Sequence, residues 1–223
     1  MLAALQGKLI VSCQAQPQEP LHSSFIMGRM ALAAKEGGAV AIRSESVADI
    51  KEIKKVTQLP VIGLIKKVYA DSDIYITATL LEVRQLLTTG CEIVALDMTQ
   101  RTRPHKEDVR ELVQAIHREH RLTLADISTA EEGIKAEELG ADAISTTLSG
   151  YTPYSRQLEG PDVELVRELV GKVNIPVFAE GRINTPEDIV RVMQAGAYAP
   201  IVGSAITRPQ LITTKFAAVL NNK

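Results

Sequence analysis

A lysine and a glutamate that each end an apolar run are the side chains of this sequence best placed for proton transfer. Lys66 closes the segment PVIGLIK, and Glu180 closes IPVFAE. A lysine that is partly desolvated beside another cation, here Arg43, can act as a general base or form a Schiff base. A carboxyl group in such a position can move a proton or hold a sugar hydroxyl. The alternative is a structural role, in which Lys66 forms an ion pair with Asp97 or Glu180.

Two glycine-containing turns predict a phosphate site. The segments EGRINTP and VGSAITRP each follow an apolar run and lead into a pattern of helical period. In such strand-to-helix turns, backbone N–H groups can face an anion and an arginine can add a charge-assisted contact. The residues so placed are Gly181, Arg182, Gly203, Ser204 and Arg208. Neither turn matches a Walker A loop or a GxGxxG fingerprint, and the alternative is that Gly203 is an ordinary tight-turn glycine.

Polar residues end nearly all of the apolar runs. In chain order, the runs end at Gln14, Arg43, Lys66, Asp97, Asp126, Thr147, Glu180 and Gly203. Seven of these eight residues are polar or ionisable, and burying them is costly unless they converge on each other or on a polar ligand. The pattern therefore predicts a polar substrate.

No metal site is predicted from this set. Asp97 and Asp126 end neighbouring runs, but none of the four histidines ends one, so hydrogen bonding is the favoured role of the two aspartates. Cys13 and Cys91 lie inside apolar runs and lack a CxxC spacing. This is typical of reduced, packed thiols in a cytosolic protein.

Eight apolar runs alternate with eight segments of helical period. The predicted strands span residues 8–14, 39–43, 60–66, 93–97, 122–126, 143–147, 175–180 and 198–203. The predicted helices span residues 24–36, 47–56, 80–88, 106–119, 130–139, 161–172, 185–195 and 212–220. Most runs are too apolar to have one wetted face, which is typical of a parallel sheet covered by helices. Eight β/α units predict a single-domain α/β fold, a TIM (β/α)8 barrel over residues 1–223, with a doubly wound sheet as the alternative.

Composition argues against other classes of function. Lysine and arginine total 25 against 27 for aspartate and glutamate, so no field of one sign indicates a nucleic-acid partner. Aromatic residues are 4% of the chain and tryptophan is absent, which is poorly suited to base stacking. No apolar run approaches the ~20 residues that span a bilayer, and the N-terminus lacks a basic signal-like region. We therefore expect a cytoplasmic protein without membrane partners.

Two predicted loops, 67–79 and 148–160, are longer than the usual connection of about 4–6 residues. Both follow strand ends, so we expect both on the mouth of the barrel as candidate lids. The second loop, LSGYTPYSRQLEG, carries Tyr151 and Tyr154 on a turn-rich segment. These polar-tipped aromatic side chains favour a functional role over an idle surface insertion.

Several long segments resemble a known family. The resemblance lies in EPLHSSFIMGRMA, STTLSGYTPYS, EGRINTPED and VGSAITRP, with shorter matches over nearly the full length. In these segments the chain is similar to the bacterial N-acetylmannosamine-6-phosphate 2-epimerase family. The resemblance implies an isomerase that interconverts N-acetylmannosamine 6-phosphate and N-acetylglucosamine 6-phosphate in sialic acid or amino-sugar catabolism. It also implies a phosphosugar substrate, no metal or other cofactor, and a homodimer.

The resemblance implies roles for individual residues as well. The family's catalytic lysine falls on Lys66 and its active-site glutamate on Glu180. Its sugar-contacting positions fall on Gln14, Arg43, Asp126, Thr147 and Tyr154, and its phosphate-contacting positions on Gly181, Arg182, Gly203, Ser204 and Arg208. We expect Lys66 to remove the proton at C2, Arg43 or another donor at the mouth to stabilise the enolate, and Glu180 to assist ring opening or reprotonation.

Pro200 departs from the family pattern, which usually has an ordinary apolar residue at this position. Proline donates no ladder hydrogen bond. We therefore expect it either at the first turn of strand eight, where the loss is small, or as a local disruption of that strand.

Two other functions stay open at this point. The first is a phosphosugar aldolase in which Lys66 forms a Schiff base with the substrate. The second is a catalytically silent phosphosugar-binding protein. A lysine placed among carboxyl groups argues against the second, because binding alone does not require it.

Overall fold

Eight parallel strands close into a barrel in the computed structural model, which describes residues 1–221. The strands are β1 Ile10–Cys13, β2 Ala41–Glu45, β3 Val61–Leu64, β4 Ile93–Asp97, β5 Leu122–Asp126, β6 Ala143–Ser145, β7 Val177–Glu180 and β8 Ala199–Val202. Each strand pairs in parallel with the next, and β1 pairs with β8, which closes the sheet on itself. The predicted TIM barrel is therefore confirmed.

Helices follow the strands and cover the outside of the barrel. The α-helices are α1 Ser24–Glu36, α2 Val47–Thr57, α3 Leu80–Leu87, α4 Val109–Arg118, α5 Ala130–Glu138, α6 Val163–Val170, α7 Pro186–Gln194, α8 Ser204–Thr207 and α9 Pro209–Asn221. Short 3-10 helices span Leu2–Leu5, Pro104–Lys106 and Thr146–Leu148. Within residues 1–221, none of the helices combines the length and the apolar character needed to cross a membrane.

Side-chain caps explain where several helices begin. The hydroxyl of Ser46 accepts a hydrogen bond from the backbone N–H of Asp49, which caps α2. Thr129 caps α5 in a capping box with Glu132. In α7, Thr185 plays the same part, and Pro186 follows at the first helical position, where its missing N–H is not needed.

Most predicted strand boundaries are off by one or two residues, and those of β2 and β6 matter for the site. The strand predicted to end at Arg43 continues for two residues to Glu45. The strand predicted over 143–147 ends at Ser145, because the chain then turns into the 3-10 helix Thr146–Leu148.

Helix boundaries differ as well, and the starts of two helices are off by three residues each. The helix predicted over 106–119 begins at Val109, because His105 and Lys106 have φ angles of 54° and 56° and cannot continue a helix. The helix predicted over 212–220 begins earlier, at Pro209, where proline suits the first turn.

The core has one apolar layer inside the barrel and another between the strands and the helices. Side chains that fill the interior include Ile10, Ile62, Leu64, Ile93, Leu124, Phe178 and Ile201. Leu5 packs against this layer at the amino ends of the strands, and Gly7 donates a backbone hydrogen bond to Tyr198 at 2.8 Å. The first residues of the chain therefore close the end of the barrel opposite its mouth.

Pro200 is accommodated inside β8. It is the second residue of that strand and lies opposite Ala179 of β7. The strand continues to Val202 and pairs with β1 on its other side. Of the two alternatives, the disrupted strand is wrong, and the proline removes one ladder donor near the start of β8.

Candidate active site

A cavity of about 330 Å³ opens at the carboxyl ends of the strands. Ten of the twelve predicted site residues line it, so the structure brings most of the predicted site together. They are Gln14, Arg43, Lys66, Thr147, Glu180, Gly181, Arg182, Gly203, Ser204 and Arg208. Sequence reasoning did not assign Ser12, Tyr75 and Asn184 to the site, and these residues also line the cavity.

Arg43 is buried at the floor of the cavity. Its Nη1 and Nη2 atoms donate to Oδ1 and Oδ2 of Asp126 at 2.8 and 2.6 Å, which makes a bidentate pair. Nη1 also lies 2.8 Å from Oε2 of Glu180. Burial alone would lower the pKa of Arg43, but the carboxyl groups of Asp126 and Glu180 outweigh it and raise that pKa above its ordinary value. The guanidinium is therefore a permanent positive charge beneath the site.

Asp126 lies behind Arg43 and not on the cavity wall. Its side chain has no exposed area, and both of its oxygens accept from Arg43. Oδ1 also accepts from the hydroxyl of Thr147 at 2.7 Å. These partners turn Asp126 away from the cavity and toward Arg43 and Thr147, and its predicted substrate contact stays a prediction. Asp97, the other aspartate considered, pairs with Arg101 at 2.6 Å and also lies away from the cavity.

The carboxyl group of Glu180 lies next to two hydroxyl groups, and one of them is shared with Asp126. Its Oε2 is 3.0 Å from Oγ1 of Thr147 and 3.3 Å from Oγ of Ser145. Thr147 has one hydroxyl proton, and Asp126 is the nearer acceptor. Burial raises the pKa of Glu180, Arg43 opposes this, and the charge of Asp126 adds to the rise, so the net shift is upward.

Lys66 stands on the cavity wall, two residues beyond the end of β3. Its Nζ atom lies 3.3 Å from Oε2 of Glu45. Burial lowers the pKa of Lys66, Glu45 opposes this, and Arg43 adds to the lowering, so that the pKa lies below its ordinary value. The carboxylate beside Lys66 therefore belongs neither to Asp97 nor to Glu180, the two partners considered from the sequence.

Sequence reasoning missed Glu45 because the predicted strand ended two residues too early. Alternate residues of a strand share a face, so Arg43 and Glu45 of β2 point the same way. The signal was present in the segment AIRSE, where the two charged residues are two positions apart.

The two glycine turns lie on neighbouring strands at the cavity. Gly181 and Arg182 have φ angles of 103° and 54°, so the chain turns sharply just after β7. Gly203 lies between β8 and the short helix α8, whose first N–H groups have no partner inside the helix. Both turns line the cavity, and the binding of an anion there stays a prediction.

The two arginines of these turns are held in place by protein acceptors. Nε of Arg182 donates to the carbonyl of Gly160 at 2.9 Å. Nη1 of Arg208 donates to the hydroxyl of Ser204 at 2.9 Å, and Nη2 donates to Oε2 of Glu19 at 3.1 Å. Each guanidinium therefore reaches the cavity in a fixed orientation.

Tyr151, and not Tyr154, reaches the cavity from the loop 148–160. The hydroxyl of Tyr154 donates to Oε1 of Glu132 at 2.7 Å, which holds this ring against α5. Tyr151 lies with its ring 5.8 Å from the guanidinium carbon of Arg182. In this structure Tyr154 contacts Glu132 and not the cavity, and its predicted substrate contact stays a prediction.

The loop 67–79 folds back on itself and forms a wall of the cavity. Lys67 donates a backbone hydrogen bond to Tyr75 at 2.9 Å, and Thr77 donates one to Ile65 at 2.7 Å. These contacts place Tyr75 and Ile76 in the cavity lining. The predicted movement of this loop as a lid stays a prediction.

Comparison with known proteins identifies close relatives. A family model with the description "Putative N-acetylmannosamine-6-phosphate epimerase" matches residues 27–222. The chain is 62% identical over 220 residues to a Clostridium perfringens protein named "Putative N-acetylmannosamine-6-phosphate 2-epimerase", with 99% of this chain and 100% of the relative covered. It is 60% identical to a protein of the same name from Clostridioides difficile, with 99% of each chain covered.

Solved structures give the same picture of the fold. The N-acetylmannosamine-6-phosphate 2-epimerase from Clostridium perfringens matches with a TM-score of 0.97 at 61% identity, over 98% of this chain and 96% of that one. A thiamine phosphate pyrophosphorylase from Pyrococcus furiosus matches with a TM-score of 0.62 at 22% identity, over 90% of this chain and 87% of that one. The second likeness concerns the barrel fold alone.

Asp126→Asn is expected to destabilise the protein, because it leaves the buried Arg43 with a single carboxyl partner. Removing one side of a buried ion pair costs about 3 kcal/mol or more. Urea denaturation followed by circular dichroism measures this loss. Glu138→Gln is a matched control, since it takes a carboxylate from the exposed pair with Lys135 and should leave the midpoint almost unchanged. Equal midpoints for the two variants would contradict the role given to Asp126.

Proposed function

The chain belongs to the N-acetylmannosamine-6-phosphate epimerase family, and we propose that it interconverts N-acetylmannosamine 6-phosphate and N-acetylglucosamine 6-phosphate. One observation carries this proposal: the same cavity is lined by Lys66, a lysine of lowered pKa, and by two glycine turns suited to a phosphate group. Epimerisation of a sugar phosphate needs a base at the reacting carbon and an anchor for the distant phosphate. The cavity offers both.

The chemistry follows from the open-chain form of the sugar, in which C2 lies next to the C1 aldehyde. We assign removal of the C2 proton to Lys66, because burial and Arg43 favour its neutral amine. Negative charge then develops on O1 of the enolate, and the permanent charge of Arg43 stabilises it. Return of a proton to the opposite face of C2 gives the epimer.

Glu180 is the acid of the proposed reaction. Its raised pKa favours the protonated carboxyl group that this role requires. Such a group can protonate the ring oxygen during opening, or C2 after the enolate has formed. In the first case, Glu180→Gln loses both epimer formation and C2 exchange, whereas in the second case it still exchanges the C2 proton without forming the epimer.

The turns after β7 and β8 are the proposed phosphate anchor. Backbone N–H groups at Gly181 and Ser204 and the guanidinium groups of Arg182 and Arg208 supply the donors. Lys66 follows β3, whereas these donors follow β7 and β8, so the proposed base and the proposed anchor come from different strands at the mouth of the barrel. The proposed chemistry is proton transfer by side chains and uses no metal or other cofactor.

We also propose that the protein is a homodimer. Phe216, Val219 and Leu220 of α9 are 76%, 73% and 73% exposed. Their spacing places them on one face of the helix, and an exposed apolar face of this kind marks a contact surface. A second copy of the chain is the partner that we propose for it. Sedimentation velocity measures the mass directly, and a monomer at micromolar concentration would exclude the dimer.

The proposed compartment is the cytoplasm, where the enzyme would act in sialic acid catabolism. Cys13 and Cys91 are both free and buried, which supports a reducing environment. Burial raises the pKa of Cys13 to about 12, so this thiol stays protonated and unreactive.

Lys66→Ala is expected to lose epimer formation and solvent exchange of the C2 proton by at least about a hundredfold, because it removes the proposed base. Proton NMR of N-acetylmannosamine 6-phosphate in deuterated water follows both processes together. Lys67→Ala is the control, since this neighbouring lysine lies 3.7 Å from Glu82 and does not line the 330 Å³ cavity. Exchange at the wild-type rate in Lys66→Ala would sink the assignment.

Glu180→Gln should change the shape of the pH profile of kcat/KM as well as its height. The wild-type profile should be bell-shaped, because the reaction needs a protonated Glu180 and a neutral Lys66. Glu180 loses its proton at high pH, and Lys66 gains one at low pH. Glutamine has no proton to lose, so the fall at high pH should disappear in the variant. The rate itself should drop by roughly 10²–10⁴-fold. A bell that persists in the variant rules out Glu180 as the acid.

A further inference from the structure

The carboxylate of Glu45 contacts Lys66 from outside the cavity lining. Oε2 of Glu45 lies 3.3 Å from the Nζ atom of Lys66, and Glu45 itself is 8% exposed. It ends β2, on the same face of the strand as Arg43. Glu45 is therefore placed to act on Lys66 and not on a bound sugar.

Glu45 is itself held by the loop between β1 and α1. Nε2 of Gln16 donates to both carboxylate oxygens of Glu45, at 3.1 and 3.0 Å. The backbone N–H of Gln16 donates to Oε2 of Glu19 at 2.8 Å, and the same oxygen accepts from Arg208 at 3.1 Å. A continuous series of polar contacts thus joins Arg208, at the proposed phosphate anchor, to Lys66, the proposed base.

We propose that Glu45 is the positioning residue of Lys66, and that Gln16 and Glu19 extend this contact to Arg208. This proposal rests on the proposed function, in which Lys66 is the base. A lysine side chain has four rotatable carbon–carbon bonds, so a neutral amine without a fixed partner would sample many orientations. A carboxylate fixed by two hydrogen bonds restricts Nζ to one side of the cavity. Positioning of this kind raises the rate of proton transfer, because the amine is already held in the orientation that the reaction requires.

Charge gives Glu45 a second effect that can be measured separately. The charged and titratable groups around Lys66 are Glu45, Glu19, Arg43, Arg208 and Tyr75. Burial lowers the pKa of Lys66, and Glu45 opposes this lowering. Removing the charge of Glu45 should therefore lower the pKa of Lys66 further, while its side chain becomes less well oriented.

Glu45→Gln and Gln16→Leu separate the two effects. Glu45→Gln should lower kcat by about tenfold or more with a smaller change in KM, since orientation of the base is lost. Gln16→Leu keeps the charge of Glu45 but frees its carboxylate, so it should lower kcat without changing the pKa of Lys66. Wild-type kcat in Gln16→Leu would overturn the part of the proposal that concerns Gln16 and Glu19.

The pKa of Lys66 can be read in the substrate-free protein by acylation with acetic anhydride at a series of pH values, followed by mass spectrometry. In Glu45→Gln, the labelling curve of Lys66 should move to lower pH. Glu138→Gln, which removes the carboxylate of an exposed ion pair, should leave that curve and kcat unchanged. A wild-type labelling curve or a wild-type kcat in Glu45→Gln would overturn the proposal. If the wild-type protein showed no epimerase activity, the proposed function would fail, and labelling would still test the contact between Glu45 and Lys66.

Discussion

Burial of the Arg43 guanidinium is the constraint on which the rest of this structure depends. A permanent charge without solvent contact is tolerated when carboxyl groups pair with it, and Asp126 and Glu180 do so here. The bidentate contact with Asp126 joins β2 to β5 across the interior of the barrel, and Glu180 brings β7 to the same point. The apolar layer that includes Ile62 and Phe178 lies toward the other end of the barrel and excludes water from that side. The polar cavity therefore has a rigid, charged floor.

The proposed anchor and the proposed chemistry meet at one junction in the chain. Glu180 is the last residue of β7, and Gly181 directly follows it in the turn that faces the cavity. The acid and the first backbone donor of the anchor therefore cannot move independently. On the opposite wall, Lys66 contacts Glu45 of a different strand. A site built in this way is already organised before a ligand arrives, which lowers the entropy lost on binding.

The barrel and most of the cavity could be predicted from the sequence, because both follow from local patterns. An apolar run that ends in a polar residue marks a strand and its carboxyl end, and this pattern found Lys66 and Glu180. Contacts between distant elements have no such pattern. Asp126 has the same signature as a ligand-binding residue until its own position behind Arg43 is known. Tyr154 is directed outward by a residue of α5, which its own loop sequence does not reveal.

The pairing of Arg43 also bears on how the chain folds. Arg43 belongs to the first four β/α units, whereas Asp126 and Glu180 belong to the last four. A half barrel made of either set alone would have to bury a guanidinium, or two carboxyl groups, without the opposite charge, and such burial is strongly unfavourable. The two halves are therefore bound to fold as one cooperative unit. A chain cut between α4 and β5 would yield fragments that must recombine before either one acquires its native interior.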